Sequence, residues 1–263
     1  MGYFIGTVIL SVIMGFSIYL SLPIVLRKKT SARSTRLLNA IAIGILIFLL
    51  ADVFSDVSQS LYSSTSLYGY GANPHLSILF AVALVIGFFM LYYFENSSKE
   101  GLSKEKMSLM IAIGIGLQNL TEGLVFGSVS AISGLFSGVA LVILVGFALQ
   151  NMTEGFPISA PFINHNDKKL GLMLLLFLIG GLPTVIGAVA GFYYSSLYFN
   201  VFFDGLAIGA ILYVILPMIK QQFKDMGHPE RRLTYAGIFI GFILGFLVNL
   251  ISATERHTAS HPA

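Results

Sequence analysis

Apolar stretches of about 20 residues recur along the whole chain, and they constrain its fold more than any other feature. A stretch of this length crosses the hydrocarbon core of a bilayer only as a helix, because hydrocarbon offers no partners for open backbone groups. The predicted fold class is therefore an all-α polytopic membrane protein, with residues 1–263 forming a single transmembrane domain. We predict eight spans: Tyr3–Leu26, Leu37–Leu61, Leu76–Phe94, Met107–Ser128, Ser133–Pro161, Leu170–Tyr193, Phe199–Gln221 and Leu233–Ser252.

The composition agrees with this prediction and excludes several classes of protein. Hydrophobic residues make up 56% of the chain and charged residues only 10%, whereas a typical soluble domain has about 25% charged residues. An ordinary cytosolic enzyme, a disordered chain and a nucleic-acid-binding protein are excluded, so we expect the lipid bilayer and no nucleic acid among the partners. Because the chain has no Cys, disulfides, thiolate metal ligands and thiol nucleophiles are excluded too.

The basic residues predict how the chain is oriented in the membrane. Fourteen of the 15 Lys and Arg residues fall in the loops between spans 1 and 2, 3 and 4, 5 and 6, and 7 and 8. The loops Leu61–His75 and Tyr193–Asn200 contain none. The positive-inside rule therefore places the basic loops in the cytoplasm and both termini outside. For a basic cluster such as Arg27–Arg36, a site for lipid headgroups or a partner remains the alternative.

Five ionisable residues remain at membrane depth, and all of them are acidic: Asp52, Asp56, Glu122, Glu154 and Asp204. Carboxylates are costly in hydrocarbon, so such residues usually face the bundle interior and mark a path for ions or protons. Asp52 and Asp56 lie four residues apart, on one face of span 2 near its outer end. We predict that they form an entrance site that attracts cations, assisted by Asp204. Hydrogen bonding to neighbouring helices is the alternative role for this pair.

A six-residue motif occurs twice, once in span 4 and once in span 5. Gln118–Gly123 reads Gln-Asn-Leu-Thr-Glu-Gly, and Gln150–Gly155 reads Gln-Asn-Met-Thr-Glu-Gly, 32 residues later. Residues three and four apart are neighbours on a helix, so each copy places amides and a carboxylate on one stripe. Because the two spans run in opposite directions, we predict that the copies approach each other about a pseudo-two-fold axis in the membrane plane. Polar pairing between two helices is the alternative.

The duplicated motif resembles the signature of the ZIP family of divalent metal transporters, which is similar to His-Asn-x-Pro-Glu-Gly on two adjacent helices. Asn119, Glu122 and Glu154 match family ligands directly, whereas Gln118 stands where the family usually has His. The resemblance implies eight helices in a 3+2+3 inverted-repeat arrangement, both termini outside, and a metal site between spans 4 and 5.

The second copy and span 6 depart further from the family pattern. Gln150 and Asn151 stand where the family commonly has His or Gln and then Asn or Asp, so they complete the implied ligand set. Thr184 stands where the family often has a further glutamate. The donors here are all oxygen atoms, which suit Mn²⁺, Mg²⁺ or Ca²⁺, whereas Zn²⁺ usually takes nitrogen or sulfur. Zinc, iron and manganese all stay open as substrates.

The resemblance implies a metal transporter of the plasma membrane that moves a divalent cation toward the cytoplasm. We expect no enzymatic activity and no cofactor beyond the transported divalent metal ion. The alternative is a non-transporting ZIP-like protein that binds metal as a sensor or scaffold. A homodimer is left open as the assembly.

Overall fold

A computed structural model describes residues 2–25, 31–63, 73–97, 102–135, 137–163, 169–194, 196–224 and 227–260. All regular secondary structure in these ranges is helical. The elements are α1 (Gly2–Phe16), a 3₁₀-helix (Ser17–Ser21), α2 (Leu22–Val25), α3 (Ala32–Ser63), α4 (Pro74–Asn96), α5 (Lys104–Ser133), α6 (Gly138–Ser159), a second 3₁₀-helix (Ala160–Phe162), α7 (Leu170–Tyr193), α8 (Leu197–Gln222) and α9 (His228–Ser260).

Each predicted span falls on helix. The first span comprises α1, the 3₁₀-helix and α2, and spans 2 to 8 correspond to α3 to α9. Within the described ranges, seven helical stretches are long and apolar enough to cross a membrane. α6, which carries the second motif, is not among the seven. The polytopic all-helical class is therefore supported, while the count of eight spans and the 3+2+3 arrangement stay predictions.

Several boundaries differ from the prediction, most clearly around the fifth span and at the end of the eighth. The fifth span was expected to begin at Ser133, but α5 ends there and Gly134 adopts φ 86°, a left-handed conformation that favours glycine. α6 begins at Gly138, where the Ser137 side chain accepts a hydrogen bond from the backbone N–H of Ala140 at 3.2 Å. At the other end of the chain, α9 continues past Ser252 to Ser260.

Four helices, α1, α5, α6 and α7, form the first helix group. A Cβ added to Gly123 in α5 or to Gly187 in α7 would meet the backbone of the other helix, at Thr184 and Leu120 respectively. A Cβ at Gly155 of α6 would meet the backbone of Ile18 in the adjoining 3₁₀-helix. The absence of side chains at these points lets the helix backbones approach closely.

The remaining long helices, α3, α4, α8 and α9, form the second helix group, and they too approach closely at glycines. A Cβ at Gly241 of α9 would meet the backbone of Ile41 in α3, and a Cβ at Gly209 of α8 would meet Leu84 in α4. The two groups also pack against each other, through α5 and α8 and through α6 and α9. A Cβ at Gly114 of α5 would lie 3.3 Å from the Ile211 side chain and 3.7 Å from the Ala210 Cβ of α8.

The predicted basic loops meet at one end of the bundle, which we call the basic end. Arg36 Nη1 of α3 lies 2.7 Å from Glu230 Oε2 of α9. Lys169, just before α7, lies 3.5 Å from Glu105 Oε1 of α5. The described parts of the four basic loops therefore lie at the same end of the bundle, while the orientation in the membrane stays a prediction.

Candidate metal site

The two motif copies lie in the interior of the protein, where α5 and α6 face each other. Asn119, Asn151 and Glu154 are completely buried, and Gln118 and Glu122 are at most 6% exposed. Helical periodicity explains this burial, because residues three and four apart share the face that α5 turns toward its neighbours. Five of the six predicted site residues are thus enclosed, and Gln150 is half-buried.

Hydrogen bonds join the two copies directly. Asn119 Nδ2 donates to Asn151 Oδ1 at 2.5 Å, and it also donates to the Gly180 carbonyl of α7 at 3.0 Å. Asn151 Nδ2 donates to Glu122 Oε2 at 3.4 Å. Gln118 Nε2 donates to Glu122 Oε1 at 3.0 Å, as expected for residues one helical turn apart. The predicted approach of the copies is therefore present in the structure.

Several oxygen atoms of these motifs are buried without a hydrogen-bond donor among the described residues. They are both carboxylate oxygens of Glu154, Oε1 of Gln118 and Oδ1 of Asn119. No Lys, Arg or His side chain in the described ranges forms an ion pair with Glu122 or Glu154. Burying such acceptors without a partner is costly, so the arrangement favours a cation or a proton among them.

A cavity of about 470 Å³, the outer cavity, reaches the first motif from the end opposite the basic end. Within the described ranges, no basic side chain lines it. Its lining combines four carboxylates, several amide and hydroxyl groups and three apolar side chains from five helices: Asp52, Val53, Ser55, Asp56, Gln59, Ser60, Gln118, Thr121, Glu122, Val125, Phe147, Gln150, Asn200, Asp204 and Asn249. The structure thus places the predicted entrance residues Asp52, Asp56 and Asp204 in the same cavity as the first motif.

The carboxylates of this region act on one another through space. Glu122 interacts electrostatically with Glu154, Asp52 and Asp56, and Asp204 interacts with Asp56. Like charges in a low-dielectric interior repel, so this cluster gains when a cation enters it. The outer cavity is therefore an anionic cavity that extends to Gln118 and Glu122.

Several polar residues of the outer cavity were missed by the sequence analysis, among them Asn249 and Asn200. Asn249 of α9 donates a hydrogen bond from Nδ2 to Asp52 Oδ1. Asn200 of α8 lies one helical turn before Asp204 and lines the cavity with it. The four-residue spacing of Asn200 and Asp204 was a usable signal. Nothing in the sequence connects Asn249 with Asp52, because the contact joins α3 to α9.

A second and smaller cavity, the inner cavity, opens at the basic end. Its volume is about 280 Å³, and Arg36, Asn39, Met107, Ala160, Met218 and Gln222 are among its lining residues. Among the residues that the structure describes, no Asp or Glu lines it. Along α3, Ile43 lines the inner cavity and Asp52 the outer one, a separation of about 14 Å at 1.5 Å per residue. The region between the two cavities is an apolar layer of the core, to which buried Leu46, Ile111 and Ile211 belong.

The donor chemistry around the motifs is that of oxygen. Across the described ranges, no group of three or more His, Cys, Asp or Glu side chains is placed to hold a metal ion. A metal bound here would therefore need amide oxygens beside the carboxylates. Thr184, at the position of the family's further glutamate, is buried against α1, where its Oγ1 would lie 3.2 Å from a Cβ at Gly15.

No family model matches the chain. A zinc transporter, ZupT of Chlorobaculum parvum (strain DSM 263 / NCIMB 8327), is 35% identical to it over 163 residues. The match covers 60% of this chain and 58% of the relative, somewhat more than half of each protein. The similarity supports the ZIP-family resemblance of the two motifs. Together with the seven apolar helices, it supports a multi-pass integral membrane protein of the plasma membrane.

Proposed function

We propose that this chain is a ZIP-type transporter that moves a divalent metal cation toward the cytoplasm through a carboxylate and amide site between α5 and α6. One observation carries the proposal. Among the described residues, the buried oxygens of Gln118, Asn119 and Glu154 that lack hydrogen-bond donors all belong to the duplicated motif, and the motif residues Gln118, Glu122 and Gln150 line an anionic cavity.

The site would bind the cation through oxygen atoms. Glu122 and Glu154 supply the negative charge, and Gln118, Asn119, Gln150 and Asn151 supply neutral oxygens. Hard divalent cations prefer this donor set, and their binding to amides and two carboxylates is weak enough to permit release. The name of the relative points instead to zinc. Zinc, iron and manganese are therefore the first substrates to compare.

The two cavities suggest the route. A cation would enter the outer cavity, where Asp52, Asp56 and Asp204 raise its local concentration, and pass to the motif carboxylates. It would leave through the inner cavity at the basic end, whose lining has no carboxylate to retain it. The apolar layer between the cavities blocks a continuous pore, so passage requires a rearrangement of the helices around the site.

Metal uptake into proteoliposomes tests the proposal. The purified protein is reconstituted in vesicles that contain a metal-sensitive dye, and Zn²⁺, Fe²⁺, Mn²⁺, Mg²⁺ and Ca²⁺ are added outside in separate runs. We expect saturable uptake of at least one transition-metal cation, with loss of uptake in Glu122→Gln. The matched control is Glu105→Gln, which makes the same change at the surface of the basic end.

Two results would contradict the proposal, the first by excluding transport and the second by excluding the site. Equal uptake by protein-containing and empty vesicles, together with metal binding measured by calorimetry, would establish the non-transporting sensor or scaffold instead. Wild-type rates in Glu122→Gln would place the metal path elsewhere in the protein. Vesicles sorted by protein orientation test the direction, because uptake should occur from the face that carries the outer cavity.

A further inference from the structure

A basic surface groove lies at the basic end, between the first turns of α3 and α9. Two neighbouring cavities form it, of about 520 and 410 Å³, and they share Arg33, Pro229 and Leu233. The first also contains His228 and Arg232, and the second contains Arg36. We call this combined feature the basic trough. It is separate from the outer cavity and its carboxylates, which lie at the opposite end.

Among the residues that the structure describes, the basic trough has more positive than negative charge. Glu230 is the one acidic lining residue in these ranges, and this carboxylate pairs with Arg36 at 2.7 Å. Arg33 and Arg232 have no ion-pair partner within the described part of the chain. Two guanidinium groups from different helices therefore face one cavity without an acidic partner. Guanidinium groups bind phosphate oxygens in bidentate fashion, which makes a phosphate group the matching ligand.

The surface next to the trough is apolar and exposed, as a bound lipid molecule would require. The candidate membrane spans of both helices begin at the trough, at Ala32 and His228, so the trough lies at the expected end of two spans. Only 22% of the most apolar part of the α9 span is buried inside the protein. Below the trough, α9 exposes Tyr235, Phe239 and Ile240. A phosphate held by Arg33 and Arg232 would thus stand above an apolar face along which acyl chains can lie.

We propose that the basic trough binds the phosphodiester headgroup of an anionic phospholipid at the cytoplasmic face of the membrane. Basic pockets between transmembrane helices on this side commonly hold such headgroups. The Arg33 and Arg232 guanidinium groups grip the phosphate oxygens, and His228 adds a further donor. The site ties α3 to α9 beside the Arg36–Glu230 pair, and it does not depend on metal transport.

Lipid binding by the full-length protein in a neutral detergent tests this inference. Phosphatidylglycerol and phosphatidylcholine are added in separate titrations, and bound lipid is counted by native mass spectrometry. We expect the double variant Arg33→Gln/Arg232→Gln to weaken phosphatidylglycerol binding about tenfold, the effect of losing about 1.4 kcal/mol. The matched control is Arg231→Gln/Lys224→Gln, which removes two charges at the same end from residues outside the trough.

The outcomes separate the explanations. Retained binding in the control and weakened binding in the trough variant support the site. An equal loss of phosphatidylglycerol binding in both variants would mean that only the overall charge of this end matters, and it would overturn the proposal. Equal binding of the two lipids by the wild type would overturn it as well. Inorganic phosphate is titrated as a third ligand, and displacement of phosphatidylglycerol by millimolar phosphate would assign the trough to a free anion. If the double variant does not fold, the single changes are compared with Arg231→Gln in the same assay.

Discussion

Asn119 and Asn151 occupy the same position in the two copies of the duplicated motif, and the amide of the first donates to the carbonyl of the second at 2.5 Å. A contact between equivalent positions is expected close to an axis that relates two antiparallel helices. The two motif copies do not make equivalent hydrogen bonds around this axis, however. Asn151 also donates to Glu122, whereas Asn119 donates its other bond to Gly180 of α7. Glu122 thus receives amide donors, while both Glu154 oxygens have none among the described residues.

Glu154→Gln should stabilise the metal-free protein and abolish metal transport. The change removes a buried negative charge without a hydrogen-bond donor, and such a charge is costly to bury. Uptake should fall at least about tenfold, which corresponds to the loss of about 1.4 kcal/mol of interaction with the cation. Melting temperature in detergent and uptake in vesicles are measured on the same preparation.

Added metal provides the control for Glu154. The wild-type melting temperature should rise with metal concentration because the cation binds the folded state, and the variant should show little of this rise. A variant that transports normally, or that gains the same stabilisation from metal as the wild type, would remove Glu154 from the site.

Gln118→His should shift the metal preference toward zinc over manganese. Imidazole nitrogen is a better zinc ligand than an amide oxygen, and residue 118 already contacts the Glu122 carboxylate at 3.0 Å. Competition between the two metals in the uptake assay measures the ratio. Gln59→His is the matched control, because it places an imidazole in the same cavity on α3. An unchanged ratio in Gln118→His would mean that residue 118 does not contact the ion.

Asp56→Asn should raise the half-saturating metal concentration more than it lowers the maximal rate. Asp56 is an exposed carboxylate of the outer cavity, so it acts on capture rather than on translocation. Asp52 is less suitable for this test, because it accepts a hydrogen bond from Asn249 that joins α3 to α9. Initial rates over a range of metal concentrations separate the two constants. A collapsed maximal rate with unchanged half-saturation would place Asp56 at a gate.

Gly187→Ala should destabilise the protein by about 1–3 kcal/mol, the usual cost of overpacking a close contact. The added methyl group would meet the backbone of Leu120 and lie 2.9 Å from the backbone nitrogen of Leu124. Gly171→Ala is the control in the same helix, since nothing lies within 4 Å of its Cβ position. Thermal unfolding in detergent is compared for both variants. Equal melting temperatures would show that α5 and α7 have room to separate at Gly187.

Many of the helices could be predicted because a membrane-spanning helix has a long run of apolar residues in its sequence. The bounds of Leu170–Tyr193 agree exactly with α7 for this reason. The turn after α5 could not be placed, because Ile132 and Leu135 continue the apolar composition through it. The break depends on the left-handed conformation of Gly134, which composition does not reveal.

The charged residues of the candidate site were easier to predict from the sequence than the neutral ones. Carboxylates in an apolar span are conspicuous because burial is costly for them, so Glu122, Glu154, Asp52 and Asp204 could be identified. Neutral amides carry a weaker signal, and Asn249 was overlooked although it contacts Asp52 across 197 residues of sequence. The repeated motif supplied what charge alone did not, since it selected Asn119 and Asn151 as partners.

The division into two helix groups has a mechanical consequence. The motif glutamates belong to the first group, and Asp52, Asp56 and Asp204 belong to the second, so a movement of one helix group relative to the other would carry an ion bound at Glu122 and Glu154 away from the carboxylates that admitted it. Close contacts at glycines join the helices within each group, whereas Gly114 and Ala210 meet between the two groups, with Cβ positions 3.7 Å apart. A disulfide requires about this spacing. Because the chain contains no Cys, Gly114→Cys/Ala210→Cys would create a single reversible latch, and oxidation should stop metal uptake until a reductant restores it.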